Sequence, residues 1–111
     1  MLPRKNRIDK KFFPEFIKRA KTFSSENIYL KVAHDCPKDK AFAFVASLKV
    51  SKKAVERNKL KRRARAITYP LLQNVPGGTC AAVFFKPSAV AKKYGEIKDE
   101  LLGLYKKAKI I

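Results

Sequence analysis

Apolar positions recur in two rhythms along these 111 residues, and each change of rhythm marks an element. Leu60, Ala64, Ile67 and Leu71 repeat at 4, 3, 4 spacing, which lines one stripe along a helix and points it at a core. That helix is predicted from about Lys52 to Tyr69, with Pro70 marking a kink or an end. Val90, Tyr94, Ile97, Leu101, Leu104 and Ala108 repeat the rhythm near the C-terminus. Pro87 and Ser88 open that region, and Gly95 weakens its continuity, so one helix or two pieces satisfy the pattern. Near the start, Phe13, Phe16, Ile17 and Ala20 share one side of a short helix, with Pro14 among its first residues.

The other rhythm is alternation. NIYLKVAH puts Ile28, Leu30 and Val32 on one face and Tyr29, Lys31 and Ala33 on the other, as a half-buried strand does. DCPKDK reads as a turn, and AFAFVASLKV predicts a second strand region ending near Ser51. After the NVPGGT turn, TCAAVFFK is nearly uncharged and reads as a strand buried on both faces. The first strand region fits one strand or two. Residues 1–11 lack periodicity and read as a basic, extended arm.

The order is helix, two or three strands, helix, strand, helix, without a repeat or a linker. One α+β domain over residues 1–111, a two-layer sandwich with a small sheet, satisfies it. Tyr29, Lys31, Ser47 and Lys49 are too polar for a sheet face wholly covered by helices. A partly open face carrying aromatic and cationic groups suits a single-stranded nucleic acid.

Charge sharpens this picture. Lys and Arg number 27 against nine acids, a net charge of +18 with a pI near 10.2. Self-repulsion at that density favours a polyanionic partner. Eight basic residues crowd into 52–65 and eight more into 1–21, while 66–91 holds only Lys86. On the predicted helix Arg57, Lys61 and Arg65 stack at i, i+4 spacing, with Asn58 and Lys53 beside them. Like charges four apart destabilise an isolated helix, so the face reads as a phosphate-binding surface rather than a solvated flank. Asn58 adds an amide that can donate and accept at a base edge or ribose. In the first segment, Arg4, Lys5, Arg7, Lys10 and Lys11 precede Phe12 and Phe13, candidates for stacking on bases. Phe16 reads as an anchor to the core.

Catalytic groups are scarce. Only Asp99 and Glu100 adjoin among the acids, and His34 is the lone histidine. His34, Asp35 and Cys36 sit together before Pro37, but neighbours in a turn rarely converge on one metal. No nucleophile motif is visible. Cys36 and Cys80 form no CxxC pair, and whether they approach each other is open. The start has no signal-like apolar run and no segment is long enough to span a membrane, so a cytoplasmic location is expected.

The segment FAFVASLKVSKKAVERNKLKRRAR resembles the signature of the bacterial ribonuclease P protein subunit. The early Lys-Asn-Arg-Ile, the Phe-x-x-x-Ile helix, the strand ending in Lys-Pro and the closing Tyr-x-x-Ile-x-x-x-Leu helix succeed one another in that family's order. Lys59 departs from the motif's third arginine, keeping a cation but losing a planar fork. Leu48 stands where lysine is usual, which leaves Ser47 and Lys49 as the better contacts. The resemblance implies three strands before the basic helix, a mixed sheet and a left-handed crossover, against a rule obeyed in about 98% of cases. It implies a 1:1 complex of one protein with a catalytic RNA that removes the 5′ leader of precursor tRNA, Mg²⁺ being held mainly by the RNA. Arg57, Asn58, Lys59, Lys61, Arg62 and Arg65, with Lys53 beside them, would face the catalytic RNA. Phe13, Ile17, Tyr29, Lys31, Ser47, Lys49 and Lys86 would hold the leader. A ribosomal or RNA-assembly protein shares the charge and size and is the alternative. A DNA-binding regulator ranks below it, because strand signals rather than a helix and short turn precede the basic helix.

Overall fold

TCAAVFF, an uncharged run, becomes one of the two inner strands of a four-stranded sheet. The computed structural model describes residues 6–8, 10–36 and 40–111. Its elements run α1 (Phe13–Arg19), β1 (Lys21–Ser24), β2 (Ile28–Ala33), β3 (Lys40–Val45), α2 (Ala54–Thr68), β4 (Thr79–Phe85) and α3 (Tyr94–Lys107). Short 3-10 turns at Tyr69–Asn74 and Pro87–Ala91 come after α2 and β4. The strand order is β1-β2-β4-β3, antiparallel except for the parallel β3–β4 pair, whose crossover carries α2. The sheet is therefore mixed, and three strands precede the basic helix.

Alternation sorts the two faces as the sequence predicts. Ile28, Leu30 and Val32 meet Phe42, Ala81, Val83 and Phe85 in the larger core, closed by Leu60, Ala64 and Ile67 of α2 and Ile97, Leu101 and Leu104 of α3. On the other face Ala33, Ala41, Cys80 and Ala82 surround Phe16, which is fully buried. These small side chains let α1 lie close to one end of the sheet. Pairing register places Ser24, Tyr29, Phe84 and Val45 in one row across that face, with Thr22, Lys31, Ala82 and Ala43 in the next. The Tyr29 row lies beyond the Ala33–Cys80–Ala41 row where Phe16 packs.

Several boundaries differ from the sequence expectation. β3 stops at Val45, not near Ser51: Ser47 O accepts the Val50 N–H at 3.0 Å, and Val50 turns back into the core. Ser47, Leu48 and Lys49 are thus an exposed turn rather than strand. α2 begins at Ala54 with Lys53 as its N-cap residue. Ser51 organises that start, its hydroxyl accepting the Lys53 N–H and donating to Glu56. The C-terminal region divides into two pieces at Lys92 and Lys93, ahead of Gly95, and Tyr94 is exposed rather than core.

Cys36 and Cys80 are joined by a disulfide spanning 44 residues, with Cα atoms 5.8 Å apart. Within the arm, Arg7 bridges to Phe42, the Ile8 N–H donates to Phe42 O, and Asn6 donates to Lys40 O. The arm thus runs beside the outer edge of β3. Arg4 and Lys5, and the middle of the DCPKDK turn, lie outside the described residues.

Candidate RNA interface

The basic flank of α2 exists because its opposite flank is needed for the core. At about 100° per residue, burying Leu60, Ala64 and Ile67 leaves Asn58, Lys61, Arg62 and Arg65 on the outer surface. These four and Ala66 line a depression of about 450 Å³. Lys59, Lys61, Arg62 and Arg65 make no ion pair and no side-chain hydrogen bond among the described residues. Arg57 is partly engaged, its guanidinium donating to Ser51 O at 2.8 Å. Arg63 turns the other way and donates to Lys92 O. Lys53, as N-cap residue, sits at the mouth of the helix, one turn before Arg57.

Arg65 also lines a second depression of about 390 Å³, with Arg7 and Lys10 from the arm and Phe42, Ala43 and Phe44 from β3. The cationic surface therefore runs from α2 around the edge of the sheet.

On the open sheet face, Tyr29 and Phe84 stack 4.7 Å apart with nearly parallel rings, and Phe13 of α1 stands 6.5 Å from Phe84. Phe13 and Ile17 are half-buried along α1 and form the wall above this aromatic floor. Lys31 is held upright by donating to Thr22 Oγ1 at 2.9 Å. Lys86 is drawn inward: its ammonium donates to Ser24 Oγ and Ser25 O, pinning the β1–β2 turn. Ser47 and Lys49 lie past Val45, beyond the Tyr29–Phe84 row, so they flank the floor instead of forming it. Phe12 and Phe13 both contact Phe16 and are only half-exposed.

Phe84 was missed as a floor residue, although its place in the alternation of β4 opposite Phe85 signalled it. Three groups elsewhere in the fold have shifted ionisation. Hydrogen bonding to Arg19 holds the Asp35 carboxyl below its usual range, and Arg19 also donates to Asp35 O. Burial pushes the Tyr105 phenol well up, only partly offset by its hydrogen bond to Thr68. Burial raises the Glu100 carboxyl, but donation from Ser25 and Asn27 outweighs it and leaves the group below its ordinary value.

Among the described residues no three His, Cys, Asp or Glu side chains come together as metal ligands. Mg²⁺ requires octahedral oxygen donors, and the half-buried Glu100 carboxylate is occupied by N–H and O–H donors.

The sequence and the fold both resemble known proteins. The Ribonuclease P family profile matches residues 2–109. The ribonuclease P protein component of Pseudanabaena is 32% identical over 113 residues, covering 100% of this chain and 97% of that protein. That of Microcystis aeruginosa is 40% identical over 77 residues, covering 69% of this chain and 64% of the other. In fold, the Staphylococcus aureus ribonuclease P protein superposes with a TM-score of 0.86 at 20% identity, covering 95% of this chain and 96% of that one.

Proposed function

Since the chain belongs to the ribonuclease P protein family, we propose that it is the RNA-binding subunit of an endoribonuclease ribonucleoprotein maturing the 5′ end of tRNA. The observation that carries this reading is the cationic flank of α2, whose Lys59, Lys61, Arg62 and Arg65 have no acidic partner among the described residues. Phosphates of a catalytic RNA neutralise that flank, and release of their counterions drives assembly. Lys53 and Arg57 add charge at the start of the helix, and the Asn58 amide adds a contact to base or ribose. The unpaired 5′ leader of precursor tRNA enters the groove between α1 and the open sheet face. There Phe13 and Ile17 form the wall, Tyr29 the floor, and Lys31, Lys49 and Ser47 contact the backbone. Lys86 acts chiefly by fixing the β1–β2 turn beneath that floor.

In this reading the hydrolysis belongs to the RNA, which supplies the Mg²⁺ ions, as the family resemblance implies. One protein binds one RNA in the cytoplasm. Reconstitution tests this: the catalytic RNA alone should cleave precursor tRNA only at high Mg²⁺, and adding the protein should restore cleavage at low millimolar Mg²⁺. The protein without RNA should leave the substrate intact. Cleavage by the RNA-free protein, abolished by changing one of its carboxylates, would refute the division of labour.

The alternative, a ribosomal or assembly protein, shares the α2 flank but has no need of a groove floored by stacked rings. Recovery of ribosomal subunits with the tagged chain, in place of one RNA of several hundred nucleotides, would favour it.

A further inference from the structure

A second basic site lies at the far end of the sheet, away from both surfaces described above. Lys21 opens β1, His34 succeeds β2, and Lys107 and Lys109 end α3. Together with Phe23, Val32 and Ala108 they line a pocket of about 380 Å³. Lys21, Lys107 and Lys109 make no ion pair and no side-chain hydrogen bond among the described residues. Asp35, beside His34 in sequence, is taken by Arg19.

Lys109 supplies an independent observation. Its φ is +59°, the one positive value at a non-glycine position among the described residues. The left-handed region crowds Cβ against the carbonyl, and glycine is the usual residue just past a helix end. The next residue forces the conformation: Ile110 is fully buried and its N–H donates to Tyr105 O at 2.9 Å. Glycine would make the same turn without strain, so a lysine here carries a cost that its backbone role does not require. Attraction to the helix C-terminus accounts for a cation at Lys107, but not for Lys21 on another element or for the strained Lys109.

We infer that this pocket is an accessory site for an RNA phosphodiester, with the lysines on phosphate oxygens and Phe23 and Val32 beneath the sugar. The inference rests on the RNA-subunit reading above and extends it to a third contact surface. A site with only basic polar groups and an apolar wall fits a phosphate that brings its sugar along. The strand comes either from the catalytic RNA or from the body of the precursor tRNA.

The test uses the full chain in two arms: binding of the catalytic RNA alone, and binding of precursor tRNA to the assembled complex. Lys109→Gly keeps the turn and should not lower the melting temperature. It should nevertheless weaken binding several-fold in one arm and reduce the magnitude of the log Kd against log salt slope by nearly one. The Lys21→Ala/Lys107→Ala pair should weaken the same arm by about tenfold. A loss in either arm supports the site and names the RNA that fills it. Unchanged affinity and slope in both arms, with wild type binding normally, overturns the accessory site and leaves the α2 reading intact. A wild-type chain that binds neither RNA overturns both.

Discussion

Glu100 ties the last helix to the first hairpin, and its protonation state matters to the fold. Its oxygens accept from Ser25 Oγ, Asn27 N and Asn27 Nδ2. Because the folded carboxyl lies below its ordinary value, the stability it contributes is fully present above the unfolded carboxylate range. That contribution is lost as pH falls through the folded value. Glu100→Gln should cost about 1–3 kcal/mol at pH 7 and flatten the loss of stability below about pH 5. Urea melts of both proteins at pH 7 and pH 4 measure this, and equal slopes with pH would refute it. Tyr29 makes a second residue-scale prediction. With its ring stacked on Phe84 and half-exposed, Tyr29→Ala should weaken the assembled complex for leader-bearing tRNA by about 1–3 kcal/mol. Affinity for mature tRNA should not change, and a loss equal for both tRNAs would remove Tyr29 from the leader groove.

Helix α2 is the element in which both core stripe and cationic flank were most legible, because one periodicity fixes both flanks. Once Leu60, Ala64 and Ile67 are assigned inward, the outward residues are set by geometry alone. Its start was less legible: Leu48 and Val50 prolong the alternation of β3 through a turn, so period alone cannot find the break at Val45. Ser47 and Lys49 were consequently assigned to the sheet face, which the chain leaves before reaching them. That Lys86 is tied to Ser24 and Ser25 was not legible, because these partners are 61 to 62 residues away. The same holds for the Cys36–Cys80 pairing and for the basic pocket at the end of α3. Both depend on which strands become neighbours, and local patterns carry no such information. The α2–α3 contact contains its own testable bond, Thr68 Oγ1 to Tyr105 OH at 2.6 Å, fully buried. Tyr105→Phe strands the Thr68 hydroxyl and should cost about 1–2 kcal/mol with an unchanged denaturant m-value. A neutral result would mean that Thr68 finds another partner.

The whole molecule measures 35 × 26 × 24 Å, so no point on one face is far from the other. A single domain can hold a structured RNA on α2 while an unpaired strand lies in the groove on the opposite face of the sheet. Its net charge of +18 disfavours compaction at low ionic strength, and bound RNA relieves that repulsion. RNA binding should therefore raise the melting temperature progressively as RNA concentration climbs above Kd.

The most direct test is the affinity of the catalytic RNA for wild type and for the Lys61→Glu/Arg62→Glu/Arg65→Glu variant across a salt series. These three side chains have no internal partners among the described residues, so far-UV circular dichroism and thermal melting should show an intact fold. The account predicts a loss of at least about a hundredfold at physiological salt and a shallower log–log slope, by roughly one for each phosphate contact removed. A folded variant that binds the RNA with wild-type affinity and slope would contradict it.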